Sequence, residues 1–225
     1  MKKIIFILTI TLVSLGIKAQ EVEFTVGADV VSSYVWRGGQ LSGASVQPSI
    51  GLSVGDFSVS AWGSTDVNGA YKEVDLSAEY SVAGFSILLT DYWASSGKYY
   101  MYDSHKTDHI FEASLGYTLP ESFPLSISWN TTFAGADYAK ANGDRAYSTY
   151  VELGYPVTAK DISLEFAAGL TPWEGAYASD FSVINLSLKA SKEIKITDSF
   201  SLPVFGQLIT NPRDEETFFV FGVSF

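Results

Sequence analysis

The chain has 225 residues, 47% of them hydrophobic and 15% aromatic but only 17% charged, with a net charge of -11 and no cysteine. This composition excludes a disordered chain, a disulfide scaffold and a thiolate metal site. Its acidity argues against nucleic acid as a partner, because phosphate binding needs clustered Lys and Arg.

The first segment reads as an address. Met1, Lys2 and Lys3 give a positive start, residues 4–17 are almost wholly apolar, and Lys18-Ala19 closes the stretch with a small residue. That is the pattern of a signal peptide over residues 1–19, cut before Gln20; the apolar run is shorter than the roughly 20 residues of a spanning helix. Cleavage would remove Lys2, Lys3 and Lys18 and no acid, leaving residues 20–225 as one still more acidic exported domain.

From there apolar residues recur at every second position, the signature of strands with one oily face. Val22, Phe24, Val26, Ala28 and Val30 alternate with Glu23, Thr25, Gly27 and Asp29, and the phase runs on through Tyr34 and Trp36 opposite Ser33 and Arg37. Val46 to Val54 repeats the pattern and turns at Gly55-Asp56 into Phe57 to Trp62, so Val54 and Phe57 should face each other across the turn. Val74 to Val82 turns at Ala83-Gly84 into Phe85 to Leu89. Seven further segments follow, 111–119, 125–133, 149–155, 162–170, 184–190, 200–208 and 218–225, for about twelve strands in all.

The connections alternate between tight and long. Gly55-Asp56, Ala83-Gly84, 120–124 and 158–161 are short, and 191–199 is placed with them; 38–43, 66–72, 94–108, 135–146 and 174–180 are longer and polar. An even-stranded antiparallel transmembrane β-barrel has this asymmetry, and nine to eleven tilted residues per strand span its apolar band of ~25 Å. Tyr34, Trp36, Tyr80, Tyr117, Phe133, Tyr155 and Trp173 sit near the ends of the oily stretches, as interfacial aromatic girdles do. The expected fold is therefore all-β, a barrel rather than a secreted sandwich, in the outer membrane of a Gram-negative bacterium. Outer-membrane lipid and lipopolysaccharide would surround it, and the barrel-assembly machinery would read a last strand ending in Phe225.

Ser32-Ser33-Tyr34-Val35-Trp36-Arg37-Gly38, then Gln47-Pro48, Trp62-Gly63-Ser64 and Glu73-Val74-Asp75-Leu76 resemble the opening of the TorF-like porins, a family of bacterial outer-membrane proteins. The family pattern runs Ser-Asp-Tyr-x-x-Arg-Gly, Gln-Gly, Trp-x-Ser and Glu-x-Asp-Leu. This chain has Ser33 where Asp is usual and Pro48 where Gly is usual, and the likeness is firm only over residues 30–80, with Asn211-Pro212 a weaker late match. The resemblance implies a small barrel and a pore, with no assigned cargo.

The inward face carries Glu23, Asp29, Arg37, Glu73, Asp75, Glu79, Glu112, Glu152, Glu165 and Lys189, so acids outnumber bases. An open lumen lined this way favours cations; a closed interior would use the same groups as a satisfied polar filling. Twelve strands fall between barrels that side chains fill and barrels with a wide channel, and Trp62, Tyr150 and Phe205 point inward, able to narrow the passage. Arg37 should pair with one or more of Glu73, Asp75 and Glu79, or else sit at the rim. Trp62 either stacks on a passing sugar or organic cation or fills the barrel beside Gly63. Tyr99, Tyr100 and Tyr102 lie in the longest loop, where they either grip a ligand, cap the barrel or rest on the membrane interface. His105 and His109 lie there too, beside Asp103 and Asp108, but no nucleophile motif completes an enzyme, and no metal or cofactor is expected. The leading expectation is a narrow, cation-preferring porin for small solutes; the alternative is a closed barrel acting structurally or through its outer loops.

Overall fold

The computed structural model describes residues 22–94, 97–103 and 105–225. The expected signal peptide lies outside them. The chain forms fourteen strands: β1 Val22–Val31, β2 Tyr34–Trp36, β3 Gly39–Ser42, β4 Ser45–Val54, β5 Phe57–Asp66, β6 Lys72–Val82, β7 Phe85–Ala94, β8 His109–Thr118, β9 Ser126–Gly135, β10 Thr149–Ala159, β11 Ile162–Thr171, β12 Ser182–Lys195, β13 Ser201–Asn211 and β14 Glu216–Ser224. Twelve of these, β1 and β4 to β14, close into one antiparallel barrel, which sets the sandwich aside; β2 and β3 form a separate two-stranded sheet.

The period-two alternation explains the wall. Phe24, Val26, Ile50, Leu52, Leu76, Leu89, Leu115, Phe166, Leu188 and Phe219 are all exposed on the outside, an oily surface that suits acyl chains and would be intolerable in water. Their strand neighbours are small or polar and turn inward, among them the buried Gln47, Ser64, Asp66, Glu73, Asp75, Glu112, Ser114 and Asn130. Val54 faces Phe57 across the first tight turn. At the second, Ala83 and Gly84 have φ of 51° and 86°, the two left-handed residues of a type I′ hairpin turn. The connection from β12 to β13 shrinks to residues 196–200 because β12 continues to Lys195, so all five tight turns lie at the end that also holds Val22 and Phe225.

The barrel closes at a short seam. β1 pairs with β4 along its whole length but with β14 only from Asp29 to Val31, extended by two backbone hydrogen bonds between Ala28 and Phe225, 2.9 and 3.3 Å. The carboxyl-terminal residue thereby becomes part of the ladder that shuts the wall.

The first strand departs from its expected course. β1 ends at Val31, and residues 34–42 leave the wall and fold into the lumen as the β2–β3 hairpin. The outward phase expected for Tyr34 and Trp36 is therefore wrong: both rings lie inside, 5.5 Å from Trp62 and 5.5 Å from Tyr92 respectively, and they belong to no girdle. Tyr80, Phe133 and Trp173 do lie exposed on the outside.

Candidate functional site

The hairpin is anchored at its base and at its tip. At the base, Ser32 donates its backbone N–H to Phe221 O at 2.9 Å, and its hydroxyl accepts the Phe221 N–H at 3.0 Å. Val31 joins Ile209 and Val220 in a small apolar cluster on which Val35 packs. The tip is Arg37-Gly38, φ 51° and 82°, a two-residue turn between Trp36 and Gly39 that calls for left-handed conformation at both positions. Gly38 meets it freely. Arg37 holds it at a steric cost, so its side chain must gain more than its backbone loses.

That gain is visible. Arg37 donates from Nη1 and Nη2 to the two carboxylate oxygens of Glu112 at 2.7 and 2.8 Å, a bidentate pair, and from Nη1 to the Tyr177 hydroxyl at 2.5 Å. Its guanidinium carbon lies 4.3 Å from the Trp36 ring centroid and 4.6 Å from that of Tyr150, so π faces cover the charge. Tyr92 donates a further hydrogen bond to Glu112 Oε1 at 3.1 Å. Burial pushes the Tyr177 hydroxyl up to about 12, so it stays neutral beside the ion pair. Both charges are deeply buried, with side-chain exposures of 10% and 2%.

Arg37 therefore does not pair with Glu73, Asp75 or Glu79, nor does it sit at the rim. The hairpin carries it past β6 to β8. Glu73 instead accepts the Tyr71 hydroxyl at 2.8 Å; burial keeps that hydroxyl above its ordinary range and so a donor. Tyr34 packs edge-on to Tyr71 at 6.0 Å, so the hairpin roofs this acidic corner without neutralising it. Asp75 is buried on the same face, one oxygen without a hydrogen-bond partner. Glu79 lies four residues further along β6 on that face, half-buried.

A contact made by the fold alone lets the tip come so close. The β11–β12 register slips between Gly169 and Leu170, leaving Ile184 as an extra residue so that Ile184 and Asn185 are both buried against the interior. Gly38 rests on this bulge; a Cβ there would lie 1.8 Å from Ile184 O. Asn211 Nδ2 caps the Gly38 carbonyl at 3.3 Å, which gives Asn211 a role in holding the tip.

Arg37 and Glu112 divide the lumen. On the long-loop side a cavity of about 460 Å³ is lined by Trp36, Tyr71, Glu73, Tyr92, Glu112 and Tyr177. On the tight-turn side a cavity of about 390 Å³ is lined by Trp36, Arg37, Glu152, Glu165, Asn185 and Lys189, together with Tyr150 and other polar residues. Tyr150 donates a short hydrogen bond to Glu152, and Asn185 Nδ2 donates to both, at 2.9 Å to the Tyr150 hydroxyl and 3.3 Å to Glu152 Oε2. Trp62 stays on the lumen wall beneath Tyr34, and Phe205 carries Lys189 on its ring face, Nζ 4.5 Å from the centroid.

The loop tyrosines line neither lumen cavity. His109 and Phe111 alternate with the inward Ile110 and Glu112, so the tyrosines that pack on them lie over the outside of the wall. There Tyr102 stacks on the His109 ring at 4.3 Å and the Tyr99 carbonyl meets His109 Nε2 at 2.5 Å. His109 Nδ1 faces Asp91 at 2.7 Å rather than the neighbouring Asp103 or Asp108, a partner on another strand that no local motif announces. Tyr100 remains 88% exposed.

No family model matches the chain, and no curated protein matches it either. The likeness to the TorF-like porins therefore rests on the residues quoted for it. Among solved structures, the chain is similar to the crystal structure of an outer membrane channel from Pseudomonas putida F1, at 14% identity over 92% of this chain and 96% of that one, with a TM-score of 0.46.

Proposed function

We propose that this chain is an outer-membrane channel whose narrow, acidic lumen passes small solutes and prefers cations. The observation that carries this reading is the division of charge inside the barrel. Glu112 neutralises Arg37 at the waist, so the remaining acids of the inward face, Glu23, Asp29, Glu73, Asp75, Glu79, Glu152 and Glu165, face Lys189 as the one base left on it. A confined surplus of one sign concentrates counter-ions and repels co-ions. The oily exterior supports an acyl-chain surround, and the Phe225 ladder bonds support reading of the last strand by the assembly machinery. No catalytic chemistry enters the proposal.

A second reading draws on the hairpin itself. If residues 34–42 never leave the lumen, the barrel is a plugged scaffold acting through its outer loops. Single-channel recording on the folded chain in a planar bilayer under a salt gradient separates the two. Steady openings with a reversal potential toward the cation equilibrium potential are expected. Silence from inserted protein favours the plugged scaffold, and anion selectivity overturns the charge argument.

A further inference from the structure

The cavity on the tight-turn side holds opposite charges that do not meet. Lys189 and Glu165 are cross-strand partners in the β11–β12 register, yet Lys189 forms no ion pair among the described residues and rests on Phe205 instead. Across the same cavity Glu152 is held by Tyr150 and Asn185, both on its Oε2 side. Asn185 is only 7% exposed, and its Oδ1 is buried without a hydrogen-bond partner while its Nδ2 is fully engaged. A buried acceptor of this kind costs stability unless a donor reaches it.

We propose that this cavity binds a small zwitterion, a solute bearing one ammonium and one carboxylate group, of the size of a simple α-amino acid; the proposal rests on the channel reading above and names its solute class. The ammonium is taken by Glu152 and by the Oδ1 of Asn185 that has no hydrogen-bond partner. Lys189, held off its cross-strand acid by Phe205, takes the carboxylate. The Arg37 guanidinium is neutralised by Glu112 and gives both Nη1 hydrogens away, to Glu112 and Tyr177, so it closes the cavity as a wall. A volume of about 390 Å³ falls within the range of small-molecule sites. A cation alone would leave Lys189 unmatched, and an anion alone would leave Glu152 and Asn185 unmatched, so the two-headed solute gains where each half does not.

Isothermal titration of the full folded chain in detergent micelles tests this with four probes: L-alanine, propylamine, propionate and glucose. Alanine should bind at least about tenfold more tightly than either propylamine or propionate, the size of one charge-assisted hydrogen-bonded contact. Lys189→Met and Glu152→Gln should each remove that advantage, while the comparison of probes on the unaltered chain needs no variant to fold. Propylamine matching alanine, glucose binding in its place, or no saturable heat from any probe each overturns the zwitterion site. The same preparation recorded in a bilayer keeps the two readings apart: conductance without alanine binding sinks the site alone, and alanine binding with a silent bilayer sinks the channel.

Discussion

Arg37 shows how one residue can be placed against its own backbone preference. A type I′ turn favours Asn-Gly, and Arg at the first position is retained against a penalty that Asn would avoid. The bidentate Glu112 contact and the two aromatic faces offset it. Removing one partner should therefore cost more than removing both. Glu112→Gln leaves a buried guanidinium uncompensated, losing roughly 2 kcal/mol of tip anchoring, and should raise channel conductance. Replacing both residues by Met should restore most of the lost anchoring, measurable as a double-mutant cycle on urea unfolding and as a return of conductance toward the unaltered value. Gly38→Ala is sterically sharper, since its methyl would collide with Ile184 O and adopt a left-handed φ. It should displace the tip and raise conductance even with the ion pair intact.

Among the elements, the wall strands and the hairpin obey different rules. A wall strand is fixed by its oily face, so a charge on that face is costly and a charge on the other is not. Ile50→Arg and Leu76→Arg should each cost about 2–4 kcal/mol, and Ser49→Arg, facing Trp62 inside, distinctly less, by urea unfolding in lipid vesicles. Equal costs at all three positions would contradict the phase. The hairpin has no such face: Val35 meets a small apolar cluster, while Tyr34 and Trp36 meet aromatic rings of the lumen. Contacts from distant parts of the chain hold it: Phe221 at its base, and Glu112, Asn211 and the Ile184 bulge at its tip. Excising residues 34–42 and joining β1 to β4 with a short polar turn should leave the barrel folded and widen the conductance; loss of the barrel would mean that the hairpin is needed to build the wall.

For the whole molecule, a closed sheet solves two problems together. It gives every wall strand a neighbour on both sides in lipid, where an unsatisfied backbone group is expensive, and it encloses a polar space away from the acyl chains. The seam is the weakest part of that closure, with β1 free of β14 from Val22 to Gly27. Deleting Phe225 removes the two hydrogen bonds to Ala28, so a measurable drop in urea midpoint is expected, in contrast to trimming the exposed Tyr100.

The alternation of oily and polar residues determined the strand number, the inward set and the end at which the tight turns lie, because a period of two is a local property that each strand displays by itself. Tyr34 and Trp36 broke that reasoning: they keep the phase of β1 in sequence, and nothing within ten residues says that the chain leaves the wall at Ser32. Even Arg37-Gly38, part of a family pattern, did not name Glu112, which lies 75 residues away on the far wall. Asn185 likewise reads as one more polar residue until the bulge at Ile184 turns it into the cavity. Periodicity fixes which way a side chain faces, but which opposite side chain it meets depends on closure, register and a bulge. Those are decided only when all the strands are in place, by geometry that no single segment contains.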